Sequence, residues 1–589
     1  MSGKLNVHVS EITFSGGQSV SFNKDEKVII VGPNNSGKSQ TLREIIEISS
    51  YEHTNSGHVV SKLRLNKSGT VDDLIQKLKS YGHFSNDHYS YGAMSIHHSS
   101  LLSWETDEKV VGTWAVFIKN VTAHDRLNIC EQQTHVKRGD SQTRPQHLLY
   151  DNSKLMSHIS SLFKRAFNKD IMFNYRGGYF LPIHVGTLDH KNLPADRVSD
   201  EYVNLVTQLP LLDKQGDGVK SYAGILFECI VNKTDILMID EPEAFLHPPQ
   251  MRLLGETLSS EVSGQLFVAT HSSDILRGFL EGTKGNIKIL RIQRKDDENI
   301  VHEIDREAVE LLWSKPNLRY SNALDSLFHE QVIVCEDDSD CRLFNFTADY
   351  LINKEGKTYP DTCYIPSGGK HAIPGIVKAL HPSGIPVKAI FDFDLISEKN
   401  TLSKTLDAFG CEPSNKTEIM DLWRKIDSEV TQQIKPIEPE EFKIKLLEFI
   451  NSTDARELSK SKVEEQFKNK KPWNTVKTHG INGLPKGKVR STFDELNSKL
   501  KSLGIFLIPV GEVENFSPET GLHGPAFVEE FLSSRDVSDA SLVSLRDFVH
   551  DVYSAEISSI QIGQTNGDEV AIEMVKDEQN LANNGNLCQ

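Results

Sequence analysis

The chain has few cysteines, no long apolar run and no excess of positive charge. Its seven cysteines are scattered among 589 residues without a C-x-x-C pair, so the sequence lacks a zinc signature and suits a reducing compartment. No apolar run approaches the ~18 residues that a membrane helix needs, and the N-terminal stretch lacks the apolar centre of a signal peptide. We therefore expect a soluble cytoplasmic protein without a membrane partner.

The balance of charge is acidic. The sequence has 65 Lys and Arg against 82 Asp and Glu, a formal net charge of −17. This excludes a protein that coats nucleic acid through its overall charge, although it does not exclude a local basic groove. The length allows two or three domains, each with its own core.

The stretch KVIIVGPNNSGKSQTLREII has the pattern of a phosphate-binding loop. An apolar run from Lys27 to Val31 is followed by G-x-x-x-x-G-K-S and then by a helical pattern, which is the strand, loop and helix order that this loop requires. In such a loop the backbone N–H groups face phosphate oxygens, the lysine binds the β- and γ-phosphates, and the serine hydroxyl binds Mg²⁺. The residues expected to bind ATP are Asn34, Asn35, Gly37, Lys38, Ser39 and Gln40.

Two later apolar runs end in side chains suited to nucleotide hydrolysis. DILMID ends in Asp240, which we expect to hold Mg²⁺ together with Ser39, and Glu241 follows as the residue that would polarise the attacking water. QLFVATHSS places His271 just beyond its apolar run, where it would sense the γ-phosphate. The alternative is a pair of core strands with polar ends.

A separate set of apolar runs after residue 325 also ends in carboxylates. QVIVCEDD ends in Glu336, VKAIFDFDL ends in Asp392 and Asp394, and GIFLIPVGEVENF ends in Glu512 and Glu514. Strands separated by helical stretches predict a parallel sheet, whose carboxyl ends share one edge. Clustered carboxylates repel one another unless cations neutralise them, so the pattern indicates a Mg²⁺ or Mn²⁺ site that would cut a phosphodiester. The expected metal ligands are Glu336, Asp340, Asp392, Asp394, Glu512 and Glu514.

One segment is locally basic. Between Lys460 and Arg490 nine Lys or Arg stand against two Glu, with Phe467 and Trp473 among them. In an acidic chain this composition favours contact with nucleic acid, and a solvated basic loop is the alternative. The residues expected to contact nucleic acid are Lys370, Lys468, Lys470, Lys471, Lys477, Lys486 and Lys488.

The phosphate-binding loop, DEPEAFLHP and the His271 segment resemble ATP-binding-cassette ATPases of the SMC/RecF type. In that family two ATPase heads enclose ATP, and each gives a signature loop to the nucleotide of the other, which implies a homo-oligomer, at least a dimer. The counterpart here is LDKQGDGVKSYAGIL, with Gly216, Gly218 and Lys220. It departs from the L-S-G-G-Q pattern because no serine precedes Gly216, and an ordinary loop that opens a helix is the alternative.

Glu336 followed by Asp340, and then Asp392-Phe393-Asp394, resembles a Toprim domain. A P-loop ATPase joined to a C-terminal Toprim is the architecture of the OLD-family ATP-dependent endonucleases, which act in bacterial anti-phage defence, including Gabija systems and retron effectors. HGPAFVEEFL and GEVENF resemble the retron-associated branch, which implies a retron reverse transcriptase and its single-stranded DNA–RNA as partners. OLD sites usually add a late lysine; none lies between Glu514 and Lys576, and His523 or Lys370 would substitute.

The resemblance implies an α/β chain with an ABC-type P-loop ATPase domain over 1–325 and a Toprim nuclease domain over 326–560. A helical insertion would occupy about 396–500, and 561–589 would be a polar acidic tail. The implied function is an ATP-hydrolysing, metal-dependent DNA endonuclease. The alternatives are an SMC/RecF-like DNA-repair ATPase with an inert Toprim and a topoisomerase, although no local context singles out a nucleophile among the 14 tyrosines.

Overall fold

The computed structural model describes residues 5–81, 84–92, 94–136, 144–187, 194–314, 322–432, 439–452 and 473–557. Within these ranges the chain forms two main sheets, one in the N-terminal part and one in the C-terminal part, each flanked by helices. The mixed α/β class expected from the sequence is confirmed. No helix in the described ranges is long and apolar enough to cross a membrane.

The N-terminal part is built around a six-stranded sheet with smaller antiparallel sheets beside it. Its strands are β1 (Asn6–Phe14), β2 (Ser19–Ser21), β3 (Lys27–Val31), β4 (Val60–Ser68), β5 (Phe84–Ser85), β6 (His88–Tyr91), β7 (Met94–His97), β8 (Ile118–Val121), β9 (Gln133–Thr134), β10 (Asp170–Phe173), β11 (Phe180–Leu181), β12 (Ile183–Gly186), β13 (Ile236–Asp240), β14 (Gln265–Ala269), β15 (Lys288–Lys295) and β16 (Glu298–Ile304). The order in the six-stranded sheet is β16-β15-β3-β14-β13-β8, and only β16 runs antiparallel to its neighbour.

Helices cover both faces of this sheet. They are α1 (Lys38–Ser50), α2 (Val71–Tyr81), α3 (Ser99–Leu102), α4 (Ala123–Asn128), α5 (Pro145–Asp151), α6 (Ser153–Phe167), α7 (Asp200–Thr207), α8 (Asp217–Leu226), α9 (Pro248–Glu261), α10 (Ser273–Thr283) and α11 (Arg306–Ser314). Alternate residues of β3 enter different cores, Ile29 and Val31 on one face and Val28 and Ile30 on the other. Burial on both faces explains why β3 is a continuous β-branched run rather than an alternating one.

The C-terminal part contains a four-stranded parallel sheet, as the sequence predicts. Its strands are β17 (Gln331–Cys335), β18 (Thr362–Pro366), β19 (Val387–Phe391) and β20 (Ile505–Leu507), in the order β18-β17-β19-β20. Its helices are α12 (Asp338–Glu355), α13 (Ile373–Leu380), α14 (Lys399–Ala408), α15 (Pro413–Gln432), α16 (Pro439–Ser452), α17 (Asn474–His479), α18 (Lys488–Ser502), α19 (Pro525–Ser534) and α20 (Val543–Ser554). In the sequence, helices α14 to α18 lie between β19 and β20, although these two strands are adjacent in the sheet.

The last strand is shorter than the apolar run GIFLIPVGEVENF suggests. It ends at Leu507, two residues before Pro509, which has no N–H to give to a neighbouring strand. Glu512 and Glu514 therefore do not end the strand but follow it, and Glu514 lies in a 3₁₀ turn, Val513–Phe516. The long loop still returns both carboxylates to the edge where the other strands end.

The two parts of the chain share one core. Residues of β17 and β19, such as Val332 and Ala389, belong to the same buried cluster as Ile29 of β3. The buried Arg291 guanidinium donates to the His329 carbonyl at 2.8 Å, which joins β15 to the segment that enters β17. A shared core of this kind holds the two sheets in a fixed relation.

Gly384, which precedes β19, approaches the His302 ring of β16 and so forms a second contact between the two parts. Gly384 and Gly356 form a matched pair of positions for testing this contact. Both are left-handed, with φ of 69° and 68°, but a Cβ on Gly384 would lie 2.3 Å from the His302 ring, whereas a Cβ on Gly356 would meet nothing within 4 Å. Gly356→Ala should cost about 1 kcal/mol through its backbone alone. Gly384→Ala should cost about 2–4 kcal/mol, because overpacking is added. Urea unfolding measures both, and equal losses would show that Gly384 does not form a tight contact.

Candidate functional site

The phosphate-binding loop has the backbone that its glycines require. Gly32 and Gly37 have φ of 144° and 98°, and Asn35 is also left-handed, with φ of 60°. A Cβ on Gly32 would lie 2.2 Å from the Ile292 carbonyl oxygen, and one on Gly37 would lie 2.9 Å from Asn299 Nδ2. The loop therefore needs glycine at both positions, for conformation and for space.

The loop opens into a cleft of about 880 Å³. Lys38 Nζ lies inside the loop and donates to the carbonyls of Gly32 at 2.9 Å and Pro33 at 2.7 Å, and burial lowers its pKa to about 8. Ser39 Oγ donates to Asp240 Oδ1 at 2.8 Å, so the residues expected to hold Mg²⁺ are in contact. The cleft is lined by Asn34, Asn35, Ser36, Gly37, Lys38, Ser39, Gln40, Arg43, His58, Val59, Glu241, His271, Arg294, Asp297 and Asn299.

Glu241 and His271 reach this cleft from neighbouring strands. Asp240 is the last residue of β13, and Glu241 follows it in the left-handed region, with φ of 47°. A left-handed residue other than glycine costs about 1 kcal/mol, so surrounding contacts must hold this conformation. Burial lowers the pKa of His271, and the nearby Lys38 adds to this effect, so the ring favours its neutral form.

The sequence did not single out Glu243 and Arg126, which support the cleft. Glu243 accepts hydrogen bonds from the His271 N–H at 2.7 Å and the Thr270 hydroxyl at 2.8 Å, and so fixes the turn that carries His271. Arg126, on α4, donates to the carbonyl of Glu241 at 2.7 Å. The E-P-E spacing in DEPEAF gave a signal for Glu243, but nothing near Arg126 marked it.

The candidate signature residues lie apart from the cleft. Gly216 precedes α8, and Gly216 and Gly218 sit in the exposed to half-buried first turn, where Lys220 pairs with Asp217 at 2.8 Å. None of Gly216, Gly218 and Lys220 lines the cleft of the same chain.

A second group of polar side chains gathers at the carboxyl edge of the C-terminal sheet. Glu336 follows β17 and Asp392 follows the adjacent β19, and Glu336 Oε1 accepts a hydrogen bond from the Asp392 N–H at 3.1 Å. Asp340, in the first turn of α12, accepts from the Asp337 N–H at 3.1 Å. The N–H groups of Gly368 and Gly369 bind the Glu336 carbonyl at 3.0 and 2.9 Å and fix the neighbouring loop.

Burial and mutual repulsion disfavour the charged forms of these acids. Burial raises the pKa of Asp392 to about 9, with repulsion from Glu336 and Asp340 adding to it. Burial also raises the pKa of Asp340 to about 7 and shifts the pKa of Glu336 upward. Acids held in this way favour binding a proton or a cation.

Two lysines contact the remaining carboxylates. Lys370 Nζ lies 2.9 Å from Asp394 and 2.7 Å from Glu398, and Lys477 Nζ lies 3.3 Å from Asp394 and 3.2 Å from Glu512. Both lysines were expected to contact nucleic acid, but here their partners are side chains of the cluster. Glu398 is a further member that the sequence did not single out.

Lys477 reaches the cluster because α17 is tightly packed against the loop after β20. A Cβ on Gly511 would lie 2.4 Å from the Lys477 carbonyl oxygen, and Asn515 Nδ2 donates to the Thr478 carbonyl at 2.9 Å. The other predicted basic contacts are placed differently. Lys486 and Lys488 are exposed, whereas Lys468, Lys470 and Lys471 lie outside the described residues.

Glu514 and His523 stand beside the cluster. Glu514 Oε1 accepts from the Gly524 N–H at 2.7 Å, and His523 Nδ1 lies 3.8 Å from the same oxygen. The His523 side chain is 81% exposed, which leaves it open to a ligand.

The cluster has suitable metal donors but no preformed metal cage. Within the described ranges, no three His, Cys, Asp or Glu side chains are arranged so that they could hold a metal ion as they stand. Carboxylate oxygens are the ligands that Mg²⁺ and Mn²⁺ prefer, and burial together with repulsion from neighbouring acids raises the pKa of Asp340 and Asp392, so a cation beside them would stabilise their charged forms. Glu336, Asp340 and Asp392 therefore fit a divalent cation in chemistry, although their side chains would have to move to bind it.

A known family model matches a segment of the N-terminal part. Residues 149–277 match a family model described as "AAA domain, putative AbiEii toxin, Type IV TA system". The chain contains an ATPase domain. An ATPase domain implies nucleotide binding, which agrees with the loop and cleft described above.

Three curated proteins are similar to the chain. Old nuclease of Escherichia phage P2 is 24% identical over 287 residues, 47% of this chain and 42% of that protein. Endonuclease GajA of Bacillus cereus is 24% identical over 253 residues, 38% of this chain and 35% of that protein. The chain thus spans less than half the length of both relatives. An uncharacterised protein of Methanocaldococcus jannaschii is 30% identical over 98 residues, 15% of this chain and 83% of that protein.

Solved structures show only weak similarity. The SMC head domain from Thermotoga maritima covers 51% of this chain and 100% of its own length, with 10% identity and a TM-score of 0.29. A nucleotide-free ATP-binding cassette from an ABC transporter covers 54% of this chain and 98% of its own, with 12% identity and a TM-score of 0.24. Scores this low support no inference about function.

Lys38→Ala should weaken ATP binding. The ammonium group is in place to exchange the loop carbonyls for phosphate oxygens, and losing such a charged hydrogen bond weakens binding by roughly 10- to 100-fold. Titration with a fluorescent ATP analogue measures the effect, with the exposed Lys79→Ala as the matched control. Equal affinity in both variants would contradict the assignment of the loop.

Proposed function

We propose that the chain is an ATP-hydrolysing, metal-dependent DNA endonuclease of the OLD family. The observation that carries the proposal is the half-buried group of Glu336, Asp340 and Asp392, which lies at the edge of a sheet separate from the nucleotide cleft. The cleft has its own acids and does not need these. The relatives named as nucleases support phosphodiester cleavage as the use of the second group.

In the nucleotide cleft the chain supplies binding, orientation and proton transfer. Lys38 and the loop N–H groups would bind the phosphates, and Ser39 and Asp240 would hold Mg²⁺, which supplies charge compensation for the phosphoryl oxygens. Glu241 would accept a proton from the attacking water. His271, held by Glu243 and favouring its neutral form, would place a ring nitrogen near the γ-phosphate.

In the carboxylate cluster the proposed domain is a Toprim. Glu336, Asp340 and Asp392 would hold Mg²⁺ or Mn²⁺, which supplies stabilisation of the developing phosphate charge. Lys370 and Lys477 place two ammonium groups beside these acids, and either would exchange Asp394 for a phosphate oxygen of DNA. Lys370 and Lys477 would serve in place of the late lysine that is not found after Glu514, and the exposed His523 would contact the same DNA strand.

The partners and setting follow from the same proposal. The first turn of α8, with Gly216, Gly218 and Lys220, lies away from the nucleotide cleft of its own chain. This placement suits a dimer in which these residues contact the nucleotide bound by the second copy. Exposed Lys486 and Lys488 would contact the DNA backbone. We place the protein in the cytoplasm in anti-phage defence, and the retron branch would add a reverse transcriptase and its single-stranded DNA–RNA.

One observation favours a second candidate, an SMC/RecF-like DNA-repair ATPase whose Toprim is inert. Two lysines already neutralise Asp394 and Glu512, and the described residues contain no ready-made metal cage. This candidate predicts ATP hydrolysis without cleavage of plasmid or single-stranded DNA in Mg²⁺ or Mn²⁺.

Glu336→Ala and Asp392→Ala should abolish DNA cleavage and leave ATP hydrolysis near the wild-type rate. Removing a ligand of the cation should lower cleavage by roughly 100-fold or more, since both charge and geometry are lost. A Mg²⁺ titration of plasmid cleavage measures this. Asp338→Ala is the control, because Asp338 is exposed and pairs with Arg342 one helical turn away. Wild-type cleavage by the first two variants would favour the repair-ATPase candidate.

Glu241→Gln should bind ATP and fail to hydrolyse it. The amide keeps the shape of the side chain but takes up no proton, so turnover should fall by roughly 100-fold or more. Phosphate release and nucleotide affinity, measured on the same sample, separate the two effects. Turnover at the wild-type rate would remove Glu241 from the proposed mechanism.

A further inference from the structure

The turn that carries Glu241 has an unusual backbone. Glu241 and Phe245, four residues later, are both left-handed, with φ of 47° and 71°. The Glu241 N–H donates to the Ala269 carbonyl at 2.9 Å, and within the turn the Ala244 N–H donates to the Glu241 carbonyl at 3.1 Å and the Leu246 N–H to the Glu243 carbonyl at 2.9 Å. A side chain on such a turn needs support from outside it.

Arg126 provides that support by binding the backbone of the turn. Its side chain is fully buried, and the guanidinium donates to the carbonyl of Asp240 at 3.3 Å and of Glu241 at 2.7 Å. Its Nε has no hydrogen-bond partner among the described residues. Burying a cation with an unpaired N–H costs free energy of folding. The position of Arg126 is therefore better explained by the two carbonyls that it binds than by a contribution of its own to stability.

Helix α8 is packed closely against the same turn. A Cβ on Gly218 would lie 2.5 Å from the Phe245 carbonyl oxygen, and the Ser221 hydroxyl donates to the Ala244 carbonyl at 3.2 Å. At the other end, a Cβ on Gly224 would lie 1.9 Å from the Arg126 carbonyl oxygen. The helix therefore touches both the turn and the residue that holds it.

We propose that Arg126 is a positioning residue for Glu241 and that, through Gly224, it ties the direction of the Glu241 carboxylate to the position of α8. The inference rests on the proposed ATP hydrolysis by Glu241. The bidentate contact fixes the two peptide planes that set where the Glu241 side chain leaves the backbone. A movement of α8 would shift Arg126 and change the alignment of Glu241 without changing the phosphate-binding loop.

Arg126→Met and Gly224→Ala test this from two directions. The first removes the contact, and the second displaces Arg126 while keeping its side chain. Both should lower kcat for ATP by roughly 100-fold with ATP affinity within about threefold, as expected for a misplaced base in an intact binding site. Arg126→Lys, which can still donate to one carbonyl, should recover part of the rate.

Two controls separate positioning from general loss of structure. Arg291→Met removes an equally buried arginine that bonds to His329, and Gly375→Ala adds a methyl group where nothing lies within 4 Å. Arg291→Met should lower thermal stability but not kcat, and Gly375→Ala should change neither. A loss of kcat in Arg291→Met as large as that in Arg126→Met at equal stability loss would overturn the proposal.

The double variant Arg126→Met/Glu241→Gln gives the deciding measurement. If Arg126 acts through Glu241, adding Arg126→Met to Glu241→Gln should not lower the residual turnover further, whereas an additional loss equal to that in the wild-type background would overturn the inference. A different outcome tests the proposed function: if Glu241→Gln hydrolyses ATP at the wild-type rate, the role of Glu241 itself is wrong. If Glu241→Gln is inactive but Arg126→Met is not, only the positioning role fails.

Discussion

The electrostatic repulsion among Glu336, Asp340 and Asp392 is the constraint on which the C-terminal site depends. Parallel strands bring Glu336 and Asp392 to one edge, and the first turn of α12 adds Asp340, in a half-buried place where water screens their charges less than at the open surface. Lys370 and Lys477 pair with the outer acids, whereas Glu336, Asp340 and Asp392 form no ion pair within the described residues. A divalent cation or protons must compensate them, and a cation would give the cluster its chemistry.

The two candidate sites are separate in chemistry but joined in structure. Each lies at the carboxyl edge of a parallel sheet, and the sheets share a core, so neither sheet can shift far without repacking the other. Strand β15 lies next to β3, which leads into the phosphate-binding loop, and its Arg291 bonds to the segment before β17. These contacts connect the strand that leads into the phosphate-binding loop with the segment that enters β17.

The candidate residues whose place in the fold followed from the sequence belong to contiguous motifs or to strand ends. The phosphate-binding loop is one uninterrupted segment whose conformation its own glycines determine, and Glu336 and Asp392 meet because parallel strands align their ends. The contact of Lys477 with Asp394 was not predicted, because it depends on how α17 packs, which no local pattern encodes. Arg126 gave no signal at all, since its partners are backbone carbonyls far along the chain, and Pro509 was not recognised as the reason that β20 ends early.

Binding of Mn²⁺ in the absence of nucleotide tests the central claim most directly. Electron paramagnetic resonance counts bound Mn²⁺ without requiring any enzymatic activity. The wild type and Asp240→Asn should both retain a bound ion at the carboxylate cluster, and Asp392→Asn should lose it. If Asp392→Asn binds Mn²⁺ as the wild type does, or if neither protein binds any, then Glu336, Asp340 and Asp392 do not form a cation site. The proposed nuclease would then lack its metal centre.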